Sequence, residues 1–233
     1  MSRSNNTELQ NPAKRFIEWK SDKKCFVYYD KEKAEQVEIK LPVRFLALDT
    51  LSTIKGYSDN DNSGFWSNEI RDLKNESLIV KTQKGECAKG LYENIMGNKD
   101  MTGAKYYQSL YAMMKEGKDY IMVNFQIGGS ALGQWIEFRK KNKIFDGAIE
   151  IKTMIEGSKG KTVYNMPVFT KIPVTEEAET NAKEMDQELQ EYLTAYFRKN
   201  HTAVETIAHV TRGDAPEPTQ EFIPEENSDD LPF

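Results

Sequence analysis

The side chains that could do chemistry here are flat rings set beside cations. Trp19 precedes Lys23 and Lys24, with Phe26 and Tyr28 just beyond. Tyr57 lies close to Lys55, and Trp66 precedes Arg71 and Lys74. Trp135 and Phe138 run into Arg139, Lys140, Lys141 and Lys143. Arg44 sits on the polar side of an alternating segment, and Lys159 and Lys161 crown a glycine-rich turn. Nucleobases stack on such rings at roughly 1–3 kcal/mol each while Lys and Arg follow the phosphates, which is how single-stranded nucleic acid is held. The candidate stacking residues are therefore Trp19, Phe26, Tyr28, Tyr57, Trp66, Trp135 and Phe138. The candidate phosphate contacts are Lys23, Lys24, Arg44, Lys55, Arg71, Lys74, Arg139, Lys140, Lys141, Lys143, Lys159 and Lys161. Trp66 and Trp135 rank first, each beside a loop and a basic cluster. Core packing competes for every one of these rings, and Tyr111 and Met114 read as core.

Catalytic chemistry finds little material. Histidine is confined to His201 and His209, and no HExxH, CxxC or GxSxG pattern occurs. The two cysteines, Cys25 and Cys87, lie far apart and form neither a disulfide framework nor a zinc site. The loop GSKGKT, 157–162, resembles a phosphate loop only in part. The pattern needs a glycine at 155, which is Ile155, and no loop-to-helix context follows. A basic hairpin tip explains it better. The glycine-rich IGGSALG, 127–133, reads as a turn between strands. No metal, cofactor or enzymatic activity is expected.

Charge is unevenly placed. The net charge is −5 over 233 residues, but residues 214–233 carry seven acids and no Lys or Arg. Without them the chain carries +2. A mildly basic body followed by an acidic helical segment and a strongly acidic tail suits a polyanion at the body and a separate task for the tail. No apolar run is long enough to span a membrane. The first residues lack the apolar core of a secretory signal, so a cytoplasmic location is expected.

The elements that must position these residues are mostly strands. RFIEW and KCFVYY flank the turn-like SDKK. Val37, Ile39, Leu41, Val43, Phe45 and Ala47 alternate with polar residues, which predicts one strand from 37 to 47 with a bulge or edge at Pro42. FWSNEI and SLIVKT read as strands, and AKGLYENIMG as a short helix closed by Gly97. Tyr106, Tyr107, Leu110, Tyr111 and Met114 fit a helix or a strand almost equally. DYIMVNFQI is a strand with Ile121, Val123, Phe125 and Ile127 on one side. GAIEIKTMI and TVYNMPVFTKIPV flank the EGSKGK hairpin loop. From Thr175 onward the composition is helical, with Thr175 as cap and acids in the first turns. Met185, Leu189, Leu193, Tyr196 and Phe197 make its apolar stripe, and a second helical stretch could reach Val210. Many short strands followed by a helix predict a mainly β body, a barrel or sandwich, with a helical appendage.

The chain closes on Asp229, Asp230, Leu231, Pro232 and Phe233 at the end of an acidic, Pro-containing segment. This resembles, position by position, the C-terminal tip of bacterial and bacteriophage single-stranded DNA-binding proteins, with Leu231 where many members have Ile. The match is confined to this end. The body lacks the usual bacterial N-terminal strand pattern and is more similar to divergent members from phages or mobile elements. The resemblance implies an OB-fold-like antiparallel barrel with insertions that coats single-stranded DNA. It also implies a tail tip, Asp229–Phe233, that recruits replication, repair and recombination proteins, and a possible homo-oligomer. A Phe ring joined to its own carboxylate suits a small pocket with a basic rim, and Pro232 holds the residue before it extended. The expected organisation is a flexible segment 1–13, a DNA-binding barrel 14–174, a helical segment 175–210 and a disordered acidic tail 211–233. The rival readings are a protein-interaction scaffold with a DNA-mimicking tail, a strand-annealing recombination mediator, and a nucleic-acid-processing enzyme with a dispersed site.

Overall fold

The computed structural model describes residues 10–59 and 62–210, with 200–210 as backbone only. Most of the expected segment 1–13, the whole of 211–233 and the tip Asp229–Phe233 lie outside the described residues.

The described residues form eleven strands and three α-helices. The strands before the first helix are β1 (Arg15–Lys20), β2 (Cys25–Asp30), β3 (Glu35–Ile39), β4 (Val43–Ser58), β5 (Ser63–Ser67), β6 (Leu78–Thr82) and β7 (Gly85–Gly90). The short α1 (Tyr92–Met96) leads to β8 (Ala104–Glu116), β9 (Asp119–Ile127) and α2 (Ser130–Lys141). β10 (Ala148–Lys159), β11 (Thr162–Ile172) and α3 (Glu176–Val210) complete the order. One mixed sheet runs β3-β2-β1-β9-β8-β4-β5-β6-β7, with β10 on β4 and β11 on β10.

The sixteen-residue β4 joins everything together. It pairs with β8 from Phe45 to Gly56. It also pairs with β10 over Val43–Leu46 and with β5 over Lys55–Ser58. Between these two partners the 68–71 segment fills the gap, with Ser52 and Ile70 exchanging backbone hydrogen bonds of 2.7 and 2.9 Å. Two apolar clusters among the described residues bear on the site. The larger contains Ile17, Phe45, Leu110, Val123, Phe125, Trp135, Ile149 and Ile151. The smaller contains Ile54, Phe65, Ile70, Leu78, Val80, Ile95 and Met101. Ile121, Val123, Phe125 and Ile127 all enter the larger cluster, as their alternation requires. Each such side chain contributes about 1.5–3 kcal/mol by leaving water.

Four expectations change. The sheet is not wholly antiparallel, because β1 pairs parallel to β9, Ile17 opposite Phe125. The long connection between these strands permits a parallel pairing that no hairpin could make. The single strand expected over 37–47 is two, β3 and β4, since Pro42 has no amide to donate to a ladder. The turn expected at IGGSALG is the entry to α2. Ala131, Trp135 and Phe138 recur at helical spacing and are buried, so the stripe overrides Gly133. The helix from Glu176 runs unbroken to Val210 rather than in two pieces. The ambiguous segment at Tyr106–Met114 resolves as β8, and α1 ends at Gly97 as its sequence suggests.

The residues fall into two compact units, the main one being Asn11–Leu189, and the other containing Gln190 and the rest of α3. In the main unit Thr175 caps α3, its hydroxyl accepting from the Ala178 amide at 3.3 Å. Ala178, Ala182 and Leu189 form the buried stripe of that part. Beyond it, Tyr192, Tyr196 and Phe197 pack ring against ring.

Candidate nucleic-acid interface

Alternation along β4, β5 and β6 decides what faces water. Ile54, Phe65 and Val80 point into the smaller cluster, so Lys55, Trp66 and Lys81 point the other way. The strand register then sets them side by side. Lys105 of β8 lies opposite Lys55, Lys55 opposite Trp66, and Trp66 opposite Lys81. Adjacent strands stand about 4.8 Å apart, so the row is roughly 14 Å long. It ends at Glu86 of β7, opposite Lys81. Trp66 is 44% exposed. Tyr57, one pleat along β4 from Lys55, is 50% exposed and donates its hydroxyl to Asn62 Oδ1 at 2.6 Å. Tyr107 shares the face, with the Lys55 ammonium 5.5 Å from its ring centre. Lys81 and Lys105 make no ion pair among the described residues.

Lys55 is held by Glu18, with Nζ to Oε1 at 2.5 Å, and Glu18 also receives Lys20 at 3.2 Å. Burial pushes the Glu18 carboxyl up, but Lys55 and Lys20 outweigh it and hold it below the usual carboxylate range. Deeper on the same sheet lies a polar cluster. Glu69 accepts from the hydroxyls of Ser109 and Tyr111, the latter at 2.8 Å. Asn124 donates to Ser109 Oγ at 2.6 Å, and Gln126 bonds Asn124. Burial pushes the Glu69 carboxyl up, with the hydroxyls of Ser109 and Tyr111 opposing. Arg71 grips Asp49 through both nitrogens at 3.0 and 2.7 Å.

The other sequence candidates scatter. Trp135 has no exposed surface, donates its indole N–H to Gln108 at 2.6 Å and packs on Phe138 and Phe169. Phe26 and Phe138 are buried in the same cluster. These three rings are core, and no base can reach them. Trp19 is half-buried, packed edge-on to Phe26, with its N–H on the Asn165 carbonyl at 2.9 Å. Tyr28 lies half-buried under the Arg15 guanidinium.

Several cations are already engaged. Arg44 binds Glu150 at 2.6 Å, Lys23 binds Glu38 at 3.1 Å, and Lys140 binds Glu137 at 2.9 Å. Arg139 donates to Gln108 at 2.7 Å. Lys24, Lys74, Lys141, Lys143, Lys159 and Lys161 are exposed. Of the sequence candidates, the structure therefore gathers Tyr57, Trp66 and Lys55 on one face. The sequence reading missed Lys81, Lys105 and Tyr107. The signal for Lys81 was its outward position between Val80 and Thr82 of β6, whereas Lys105 and Tyr107 join the face only through the pairing of β8 with β4.

The chain matches no family model, no curated protein and no solved structure. Fold and face together define a mainly β protein with a mixed sheet that offers one exposed aromatic and basic row.

Proposed function

We propose that this chain is a sequence-nonspecific single-stranded DNA-binding protein, with no catalysis of its own. It coats exposed strands in replication, repair and recombination and recruits partners through Asp229–Phe233. The observation that carries the reading is the row Lys105, Lys55, Trp66, Lys81, an exposed ring between two lysines with a third one strand further on.

The strand path supports an OB-like body. β4, β8 and β9 follow as antiparallel neighbours, α2 intervenes, and the β10–β11 hairpin returns to β4. OB-folds bind oligonucleotides on their second and third strands and on the loops after the first and fourth. The corresponding parts here are β8 and β9, the β4–β8 connection that carries Trp66 and Lys81, and the turn with Lys159 and Lys161. No helix among the described residues is long and apolar enough to cross a membrane. The bacterial or phage-infected cytoplasm is the compartment this role implies.

Titration of tryptophan fluorescence with oligo-dT tests the reading. Trp66 is the most exposed of the three tryptophans. Quenching at low salt is therefore expected in the wild type and lost in Trp66→Phe. An unchanged wild-type signal at low salt, with no mobility shift of labelled oligo-dT, would overturn it.

A further inference from the structure

Tyr57 stands beside an empty place. In the pairing of β4 with β5 it lies opposite Gly64, while Lys55, one pleat back, lies opposite Trp66. Residues directly opposite one another share a face of the sheet. Tyr57, Gly64, Lys55 and Trp66 therefore make a square on the exposed side, and one corner of it has no side chain. Tyr57 is 50% exposed and Trp66 44% exposed. Neither ring packs against another ring among the described residues. A Cβ on Gly64 would meet the Gly56 carbonyl oxygen at 3.7 Å, an ordinary contact, and nothing else among the described residues within 4 Å. No other group fills the corner.

Its dimensions suit one flat group. Tyr57 and Trp66 are diagonal neighbours across the strand pair, and such positions stand about 7–8 Å apart. Two carbon-to-carbon contacts in series span the same distance, about 7–8 Å. A planar group seated over Gly64 thus touches one ring on each side. The Tyr57 ring is held ready for it, because its hydroxyl is donated to Asn62 Oδ1 at 2.6 Å. Asn62 has φ +49°, a left-handed conformation that Asn adopts more readily than most residues.

The surroundings select the kind of group. Lys55 lies opposite Lys105, and Trp66 opposite Lys81. These cations repel a flat cation such as a guanidinium and attract a flat group carried on an anionic chain. A nucleobase on its phosphate backbone is such a group.

We infer that the corner at Gly64 is a clamp for a single unpaired nucleobase, held between Tyr57 and Trp66. The clamp presupposes the proposed single-strand role and narrows its substrate. A base gripped on both faces has left both of its neighbours in the strand. Strands whose bases stack weakly on one another give up a base most easily, which favours pyrimidine runs. A base in a duplex must also leave its pairing partner. The preferred substrate is pyrimidine-rich single strand, chosen by stacking and with no reading of base edges.

Gly64→Val in the full chain tests this. It fills the corner but leaves both rings and every lysine in place, and a β-branched side chain suits a strand. The melting temperature should be unchanged or higher. Affinity for oligo-dT should fall roughly tenfold, the worth of one stacked base, and quenching of Trp66 should shrink. An oligomer of abasic residues, which offers phosphates without bases, should bind wild type and Gly64→Val alike. The preference for oligo-dT over oligo-dA should narrow. Tyr57→Ala removes one wall of the clamp at an exposed position and guards against a Gly64→Val chain that folds poorly. It should cause a similar loss, and the two changes together should add little, since both abolish the same contact. Tight wild-type binding of oligo-dT that neither change weakens overturns the clamp and leaves the single-strand role standing. A Gly64→Val loss that extends equally to the abasic strand also overturns it, because phosphate contacts would then be what changed. A wild type that binds no oligo-dT removes the single-strand role and the clamp with it.

Discussion

Trp66 and Trp135 look alike in the sequence, each beside a loop and a run of cations, yet one is on the surface and the other in the core. The distinction was available in their neighbours. Phe65 takes the inward position of β5 and forces Trp66 outward, whereas Ala131 and Phe138 set Trp135 in a helical stripe. Opposite outcomes on substitution follow. Trp66→Ala should weaken oligo-dT binding by roughly 1–3 kcal/mol without altering the melting temperature. Trp135→Ala should destabilise the fold by about 3–5 kcal/mol, read in a chemical denaturation curve. Glu18 supplies a second contrast at this scale. Its carboxylate neutralises Lys55, so Glu18→Gln should bind oligo-dT more tightly at neutral pH. Its lowered acidity range means that the pair stabilises the fold above the unfolded carboxylate value and ceases to do so as pH falls through the folded one. Wild type and Glu18→Gln should therefore differ in melting temperature near pH 7 and converge in acid. Glu69 has the opposite sign. Its raised acidity range makes ionisation costly, and that cost grows as pH rises from the unfolded value through the folded one. Glu69→Gln should gain melting temperature relative to wild type at alkaline pH and lose the advantage below about pH 4, the ordinary carboxylate range.

At the level of elements, β6, β9, β10 and β11 were readable in the sequence without the structure, although the polar side of β9 is buried too, Asn124 and Gln126 lying in the polar cluster rather than in water. β3 and β4 were fused because their alternation continues in phase across Pro42, and periodicity alone does not register a missing amide. The helix α2 was missed because Gly128, Gly129 and Gly133 carry the local signal of a turn, while the tertiary stripe that overrides them has only three members. The pairing of β1 with β9 is non-local and leaves no mark in either segment. The same non-locality hid Lys105, which joins the candidate face only because β8 lies against β4. That seam has a tight point. A Cβ on Gly103, whose φ is +93°, would lie 2.1 Å from the Tyr57 carbonyl oxygen, and one on Gly56 would lie 2.1 Å from the Gly103 oxygen. The obstacle is backbone and cannot rotate away. Gly103→Ala should cost at least roughly 1–3 kcal/mol from its backbone conformation alone. It should also lower oligo-dT affinity, since the end of β4 that carries Tyr57 must shift. A variant with normal melting behaviour and normal affinity would contradict this picture of the seam.

For the whole molecule, the charge balance fits a body that attracts a polyanion and a terminus that does not. With Lys55 neutralised by Glu18, Lys81 and Lys105 should give a salt slope of about −1.4 for oligo-dT, at roughly 0.7 per phosphate neutralised, and Glu18→Gln should steepen it to about −2. A slope near zero would mean that the face binds without phosphate contacts. Removing Asp229–Phe233 should leave oligo-dT affinity unchanged or higher, and a large loss would assign those residues to the DNA site instead. The parallel seam between β1 and β9 also has a consequence in time. Arg15–Lys20 leaves the ribosome first, but its partner Val123–Gln126 is made about a hundred residues later. At 5–20 residues per second that is a delay of roughly 5–20 s. Until then β1, β2 and β3 can form only a small hairpin sheet with the Ile17 edge unpaired. The nascent protein must carry that edge unpaired while those hundred residues are made, and the sheet can close around it only once β8 and β9 have emerged.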